Sequence, residues 1–287
     1  MKVKGVIVAA GYGSRFLPVT KTIPKEMLPL IDKPAIGFIV DEFIASGIED
    51  ILIITSRRKK ALEDYFDREP ELETVFQRES KMEHLQAIQP PKATLFFVRQ
   101  QEMNGTGNAL LLAQSFTGEH PFVVAYPDDL VFSQTPLSKQ LIDCYLQKNC
   151  SVLAVKNLVD EDVSRYGVIN PGNDENPCSV RELVEKPKHG EQPSHLVSFG
   201  RYLFTKELYR HLIQERSHHL SGEYYHVPAI NALARENALV ALDFEGERLD
   251  IGDPMGFLEA TCKYALAEPR FQKRAQALFK QLGNCST

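Results

Sequence analysis

Five consecutive apolar residues, Val6-Ile7-Val8-Ala9-Ala10, lead directly into Gly11-Tyr12-Gly13-Ser14-Arg15. An unbroken apolar run of this length suits a strand covered on both faces, as in parallel sheets wrapped by helices. Glycines after such a strand let backbone N–H groups approach a ligand, and successive N–H groups form a concavity for anions. Arg15, Lys21 and Lys25 set three cations beside it. The chemistry is that of a polyphosphate cradle. A Walker A loop is excluded, because no Gly-Lys-Ser/Thr follows the glycines. The dinucleotide fingerprint also fails: Phe16 stands at the third glycine position, and prolines and cations fill the place of the helix start. On glycines alone, a tight turn with solvated charges fits equally well.

The rest of the chain supports an α/β reading. After Pro34, residues Ile36, Ile39, Val40, Phe43 and Ile44 fall on one helical face, and Gly47 stands just past its end. Ile51–Thr55, Thr94–Val98, Pro121–Tyr126 and Ser151–Lys156 read as further buried strands, with a helix beginning at Gly107–Ser115 and a charged helical excursion over 57–89. This alternation predicts a Rossmann-like, mixed but mostly parallel sheet wrapped by helices. From about Arg165 the pattern shifts to short strands, Gly167–Asn170, Val180–Glu185 and Phe199–Phe204, with turn residues at Pro171-Gly172-Asn173-Asp174. These predict an antiparallel extension forming the second wall of a cleft. Residues 255–282 are helical in pattern.

Composition narrows the class. A chain of 287 residues with formal net charge −5 and no long basic run is a poor nucleic-acid binder. No 18-residue apolar stretch and no signal-peptide pattern occur, which predicts a soluble cytoplasmic protein without membrane contact. Cysteines 144, 150, 178, 262 and 285 form no CxxC pair and no zinc spacing, so free thiols in a reducing compartment are expected.

Three further places carry candidate chemistry. Asp128 follows the Phe122–Tyr126 strand, at the carboxyl end where open α/β sheets bind ligands, and Leu249-Asp250-Ile251-Gly252 also ends an apolar stretch in a carboxylate. Two carboxylates with phosphate oxygens and waters suit Mg²⁺, although a Pro-Asp-Asp turn alone is more often a cap or turn than a metal site. Gln100 ends a strand five residues before Gly105, and its amide offers the donor and acceptor that a uracil edge also presents. Glu185-Lys186-Pro187 pairs a carboxylate able to hold sugar hydroxyls with an ammonium able to neutralise a phosphate.

The run AAGYGSRFLPVTKTIPKEMLPLIDKP closely resembles the opening of bacterial UTP–glucose-1-phosphate uridylyltransferases, and more loosely other sugar-phosphate nucleotidylyltransferases. The match is long and nearly gap-free, and the resemblance extends over about residues 3–265. It implies the nucleotide-diphospho-sugar transferase fold in one domain over 1–265, with nucleotide-binding residues 1–160, sugar-phosphate-binding residues 161–254 and a helical element over 255–287. It also implies transfer of a uridylyl group from UTP to glucose 1-phosphate with Mg²⁺. By position, Asp128 matches the acidic residue after the PD motif and Asp250 the YDxG motif. Ala9, Ala10, Gly11 and Gly13 match the nucleotide loop, Gln100 and Gly105 the pyrimidine readers. Gly167, Glu185, Lys186 and Gly200 fall in the YGV, VEKP and GRY motifs of the sugar phosphate. Arg15, Lys25 and Lys186 are the implied catalytic cations.

One segment departs from the pattern: the family's GExQLTDA-like helix start reads Gly222-Glu223-Tyr224-Tyr225-His226-Val227-Pro228-Ala229. The expectation is that this departure bears on the sugar end and on preference for glucose. A relative using dTTP or another sugar 1-phosphate, a retaining glycosyltransferase and a non-catalytic nucleotide-binding regulator remain the competing readings. A homodimer or homotetramer through the C-terminal helix is expected.

Overall fold

In the computed structural model the apolar run becomes the central strand, β1 (Lys4–Val8), with Val6 and Ile7 fully buried. Residues 2–159, 162–172 and 178–283 are described; Asn173, Asp174 and Cys285 of the expectations above lie outside them. Three short 3₁₀ turns cross residues 14–27 and lead to a small ribbon, β2 (Pro29–Leu30) with β3 (Lys33–Pro34). Next come α1 (Ala35–Ala45), β4 (Asp50–Thr55), α2 (Lys60–Phe66), α3 (Pro70–Arg78), α4 (Met82–Ala87) and β5 (Thr94–Arg99). The middle of the chain forms α5 (Thr106–Leu111), α6 (Gln114–Thr117), β6 (Phe122–Ala125), β7 (Asp129–Phe132), α7 (Leu137–Lys148) and β8 (Ser151–Asn157). There follow β9 (Gly167–Pro171), β10 (Val180–Glu185), β11 (Leu196–Phe204), α8 (Glu207–His218) and α9 (Val227–Arg235). The chain closes with β12 (Leu239–Asp243), β13 (Glu247–Asp250), α10 (Pro254–Ala267) and α11 (Pro269–Gly283).

The parallel part of the sheet runs β5-β4-β1-β6. Strands β4 and β5 were added on one side of β1 and β6 on the other, so the chain reverses direction across the sheet between β1 and β6. A crevice opens at the carboxyl ends of such a pair, because the two connections leave in opposite directions. It lies between residues 9–13 and residues 126–129.

Strand β11 differs from expectation. It begins at Leu196 and runs through the middle of the sheet: residues 201–204 pair with β6, residues 197–198 with β9, and β8 covers the other edge. All but the first of its nine residues are buried, which is why it is interior and joins the parallel and antiparallel parts instead of belonging to the outer wall alone. The helix expected at 107–115 is broken after Leu111 and resumes at Gln114. Strands β7, β12 and β13 had no clear period in the sequence, being only four or five residues long.

Alternation along β1 sends Ile7 to one core and Val6 and Val8 to the other. Helix α1 covers the first with Ile36, Ile39, Val40 and Phe43, and the second packs under Leu110, Leu212, Ile230 and Leu233. One ion pair penetrates the first layer. Arg201 Nη2 lies 2.9 Å from Glu42 Oε2, with the side chains 1% and 10% exposed, and Ser138 donates its N–H to the other Glu42 oxygen at 2.9 Å. Removing one partner of such a pair strands the other. Glu42→Ala should therefore destabilise the chain by about 3–5 kcal/mol, and a Glu42→Met/Arg201→Met double variant by much less. Urea denaturation of the three chains checks this, and equal losses in the single and double variants would contradict it.

Candidate active site

Beyond β1 the backbone turns out of the sheet. Ala9 donates its N–H to Ile54 O at 2.8 Å, Ala9 and Ala10 are buried, Gly11 is exposed, and Gly13 is left-handed (φ +70) with its carbonyl accepting from Thr20 Oγ1 at 2.7 Å. The loop is fastened from below by Lys59, just ahead of α2. Its Nζ donates to Ala9 O at 2.6 Å and to both Glu26 oxygens at 2.7 and 2.8 Å. Burial lowers the Lys59 pKa although Glu26 pulls the other way.

Lys25, next to Glu26, points across the crevice to Asp128, with Nζ 2.6 Å from Oδ2. Burial works against the ammonium, but Asp128 and Glu26 outweigh it and raise its pKa. Burial likewise works against the Asp128 carboxylate, and attraction to Lys25 outweighs that and lowers its pKa. Asp250 arrives through the two-stranded ribbon β7–β13, whose register sets Asp250 opposite Asp129, and Ile251 donates its N–H to Asp128 O at 2.9 Å. The charged groups then converge around Gly252. The position a Cβ would take there lies 3.0 Å from Asp250 Oδ1, 3.2 Å from Arg15 Nη1 and 3.7 Å from Asp128 Oδ2. Arg15 also donates to Gly252 O at 3.3 Å. Lys21 lies on the exposed side of the loop, its carbonyl accepting from Arg58 at 2.8 Å.

Arg248 sits behind these groups. It donates to Asp129 Oδ1 at 2.7 Å and Asp250 Oδ2 at 3.2 Å, and stacks over Phe199 and Tyr166 at 4.1 and 4.8 Å. Burial opposes its charge, yet Asp129 and Asp250 raise its pKa. Asp129 is thereby committed to structure, its second oxygen accepting from Gly200 N–H at 3.3 Å. Gly200 is required there, since a Cβ would lie 2.9 Å from Tyr126 Cβ. Asp128 and Asp250 keep the oxygen-only donor set that Mg²⁺ takes together with phosphate oxygens and waters. Among the described residues no group of three or more His, Cys, Asp or Glu could hold a metal.

At one end of the crevice, Gln100 is buried, its N–H donating to Thr55 O at 2.8 Å and its Nε2 reaching Gly105 O at 3.3 Å. Gly105 has φ +104, and a Cβ there would meet Tyr224 O at 2.3 Å. At the other end, Glu185 and Lys186 are exposed, Nζ and Oε1 3.9 Å apart. Lys186 N–H donates to Tyr166 O at 3.0 Å, and Tyr166 Oη bonds Asp250 Oδ2 at 3.3 Å, which ties this segment to the carboxylates. A Cβ on Gly167 would lie 3.1 Å from Glu185 Oε2. Asn231 holds β10 in place by bonding both the N–H and the carbonyl of Leu183, at 2.8 and 3.1 Å. A cavity of about 380 Å³ is lined by Glu185, Glu223 and Tyr225.

Lys59, Glu26 and Arg248 were missed in the sequence. Lys59 hides in the exposed-looking run Arg57-Arg58-Lys59-Lys60. Arg248 was more accessible, because two residues before Asp250 on a strand means the same face.

Residues 4–266 match the family model described as nucleotidyl transferase. A UTP–glucose-1-phosphate uridylyltransferase from Staphylococcus epidermidis is 43% identical over 282 residues, covering 97% of this chain and 98% of the relative. A UTP-bound UGPase from Acinetobacter baumannii superposes with a TM-score of 0.89 at 32% identity, over 98% of this chain and 100% of that one. A UDP-glucose pyrophosphorylase complexed with UDP-glucose gives 0.81 at 35% identity, over 93% and 100%.

Burial lowers the His226 pKa to about 4. Between pH 6.5 and about 4 the unfolded chain takes up a proton that the buried ring refuses, so stability falls as pH falls through this window. Relative to His226→Leu, the wild-type chain should lose roughly 2–4 kcal/mol across it. Parallel denaturation curves against pH for the two chains would contradict this burial.

Proposed function

Because the chain belongs to the nucleotidyl transferase family, we propose that it transfers a uridylyl group from UTP to glucose 1-phosphate, giving UDP-glucose and pyrophosphate. The observation that carries the reading is the meeting of Arg15, Lys25, Asp128 and Asp250, from three distant segments, at the β1–β6 crevice. A glycosyltransferase would need the carboxylates but not two cations placed for a triphosphate.

In this reading the Gly11–Gly13 loop takes the triphosphate on its N–H groups, with Ala9 and Ala10 forming its floor. The uracil edge meets the Gln100 amide and the backbone at Gly105, where the space of a Cβ is taken by the Tyr224 backbone. Glu185 accepts from sugar hydroxyls, Gly167 and Gly200 shape the pocket, and Lys186 neutralises the sugar phosphate. An oxygen of that phosphate attacks the α-phosphorus in line, and the bond to the bridging oxygen of pyrophosphate breaks, the leaving group keeping the electron pair. The nucleophile is already ionised at neutral pH, so no general base is required. Catalysis rests on positioning and on charge neutralisation, with Arg15 and Lys25 stabilising the charge that gathers on the β- and γ-phosphates. Asp128 and Asp250 would hold Mg²⁺, which supplies further neutralisation of phosphate charge when bound.

We assign residues 1–160 to the nucleotide and 161–254 to the sugar phosphate, and the 255–287 element to self-association as a homodimer or homotetramer. A cytoplasmic setting is supported by the unpaired cysteines among the described residues, 144, 150, 178 and 262; among those residues no helix is long and apolar enough to cross a membrane. Pyrophosphate release, with UTP and dTTP crossed against glucose, galactose and N-acetylglucosamine 1-phosphates, tests the substrates. UTP with glucose 1-phosphate should dominate, and a different best pair would move the substrate assignment. Lys25→Ala and Asp128→Ala should each lower kcat by roughly a thousandfold with the far-UV spectrum unchanged. Near-normal turnover in either variant would sink the assignment of these residues.

A further inference from the structure

Two residues of the segment that departs from the family pattern, Tyr224 and His226, hydrogen-bond to residues 104–107 beside Gln100. Tyr224 donates its N–H to Asn104 O at 2.8 Å, and its carbonyl accepts from Gly107 N–H at 2.9 Å. Its ring takes the space beside Gly107, where a Cβ would lie 2.4 Å from Cε1, and its hydroxyl donates to Leu212 O at 2.8 Å. His226 Nδ1 lies 2.7 Å from Thr106 Oγ1, and His226 N–H donates to the same oxygen at 3.4 Å. Thr106 Oγ1 thus meets both the backbone N–H and the ring of His226, whose Nε2 is buried without a hydrogen-bond partner among the described residues. The ring is 92% buried, wedged against Tyr202 and Tyr126 with centroids 5.6 and 5.9 Å away.

Residues 104–107 are thus held from outside at three points: Asn104 O by the Tyr224 N–H, Thr106 by His226, and the Gly107 N–H by the Tyr224 carbonyl. Their own fastening to Gln100 is slack, at 3.3 and 3.4 Å to Gly105 O and Asn104 Oδ1. Of the altered residues, Tyr225, 53% exposed, bonds the sugar-side Glu223 at 2.7 Å.

We infer that His226, acting through Thr106 and together with Tyr224, positions the base-reading loop and so sets nucleotide selectivity. The inference rests on Gln100 and Gly105 reading the uracil edge. A pyrimidine edge is distinguished by the placement of a few donors and acceptors, so a loop that drifts loses discrimination before it loses phosphate binding. Cytosine, which exchanges a uracil acceptor for a donor at the same edge, is the informative competitor.

The test is calorimetric affinity for UTP and CTP in Mg²⁺ buffer, with the KM for glucose 1-phosphate at saturating UTP, for the wild type, Thr106→Val, Thr106→Ser and His226→Leu. Thr106→Val and His226→Leu should weaken UTP roughly tenfold, narrow the UTP preference over CTP by a similar factor, and leave the glucose 1-phosphate KM within about twofold. Thr106→Ser, which keeps the hydroxyl, should restore UTP affinity. If His226→Leu does not fold, the Thr106 pair decides the matter alone. Unchanged UTP binding, or a rise confined to the sugar-phosphate KM, overturns the inference. A wild-type chain that binds no UTP overturns the functional reading itself, and wild-type binding that Gln100→Ala leaves intact removes the base-reading premise.

Discussion

The Lys59 ammonium, buried at 2.6–2.8 Å from Glu26 and the Ala9 carbonyl, is the contact on which the glycine loop after β1 depends. An ammonium and a carboxylate taken out of water cost several kcal/mol each unless they meet in good geometry, and neither can leave without stranding the other. The pair therefore acts as a lock. It fixes the loop at Ala9, where it leaves the sheet, and again at Glu26, just ahead of the β2–β3 ribbon. Between them Leu17, Val19 and Ile23 are exposed, so packing does little to hold the middle. Lys25 inherits its direction from its locked neighbour and reaches Asp128 as a consequence.

The second constraint is topological. The reversal of strand order between β1 and β6 opens a crevice, and the β7–β13 ribbon carries Asp250 into it from more than a hundred residues downstream. Bringing Asp128, Asp129 and Asp250 together would repel all three, and burial aggravates it: the Asp129 pKa is raised by burial and by its two acidic neighbours. Arg248 resolves the conflict by taking Asp129 and one face of Asp250, while Lys25 balances Asp128. Cations and carboxylates are interleaved across the site.

Much of this was legible in the sequence, and the reasons differ by element. The buried run before Gly11 and the periodic face of α1 declared themselves because burial on both faces of a strand, or on one face of a helix, leaves a pattern. Asp128 was placed by its position after a strand. Asp250 could only be suspected, since nothing local says that two short strands will pair across that distance. The resemblance supplied the connection, and the β7–β13 register supplies the physical reason. Lys59 was invisible because a buried lysine reads like any surface lysine. The Tyr224–Val227 segment lines the cavity of Glu185 and Glu223, as expected of the sugar end, but its contacts with Asn104, Thr106 and Gly107 were not legible because those partners lie more than a hundred residues away in the chain.

Nucleotidyl transfer places the bond broken between the α-phosphorus and pyrophosphate. Turnover of glucose 1-phosphate with UTP labelled at either the α- or the γ-phosphate tests it most directly. The α label should appear wholly in UDP-glucose and the γ label wholly in pyrophosphate. A γ label on the sugar product, or an α label left on free UMP or UDP, would contradict nucleotidyl transfer and assign the same residues to different chemistry.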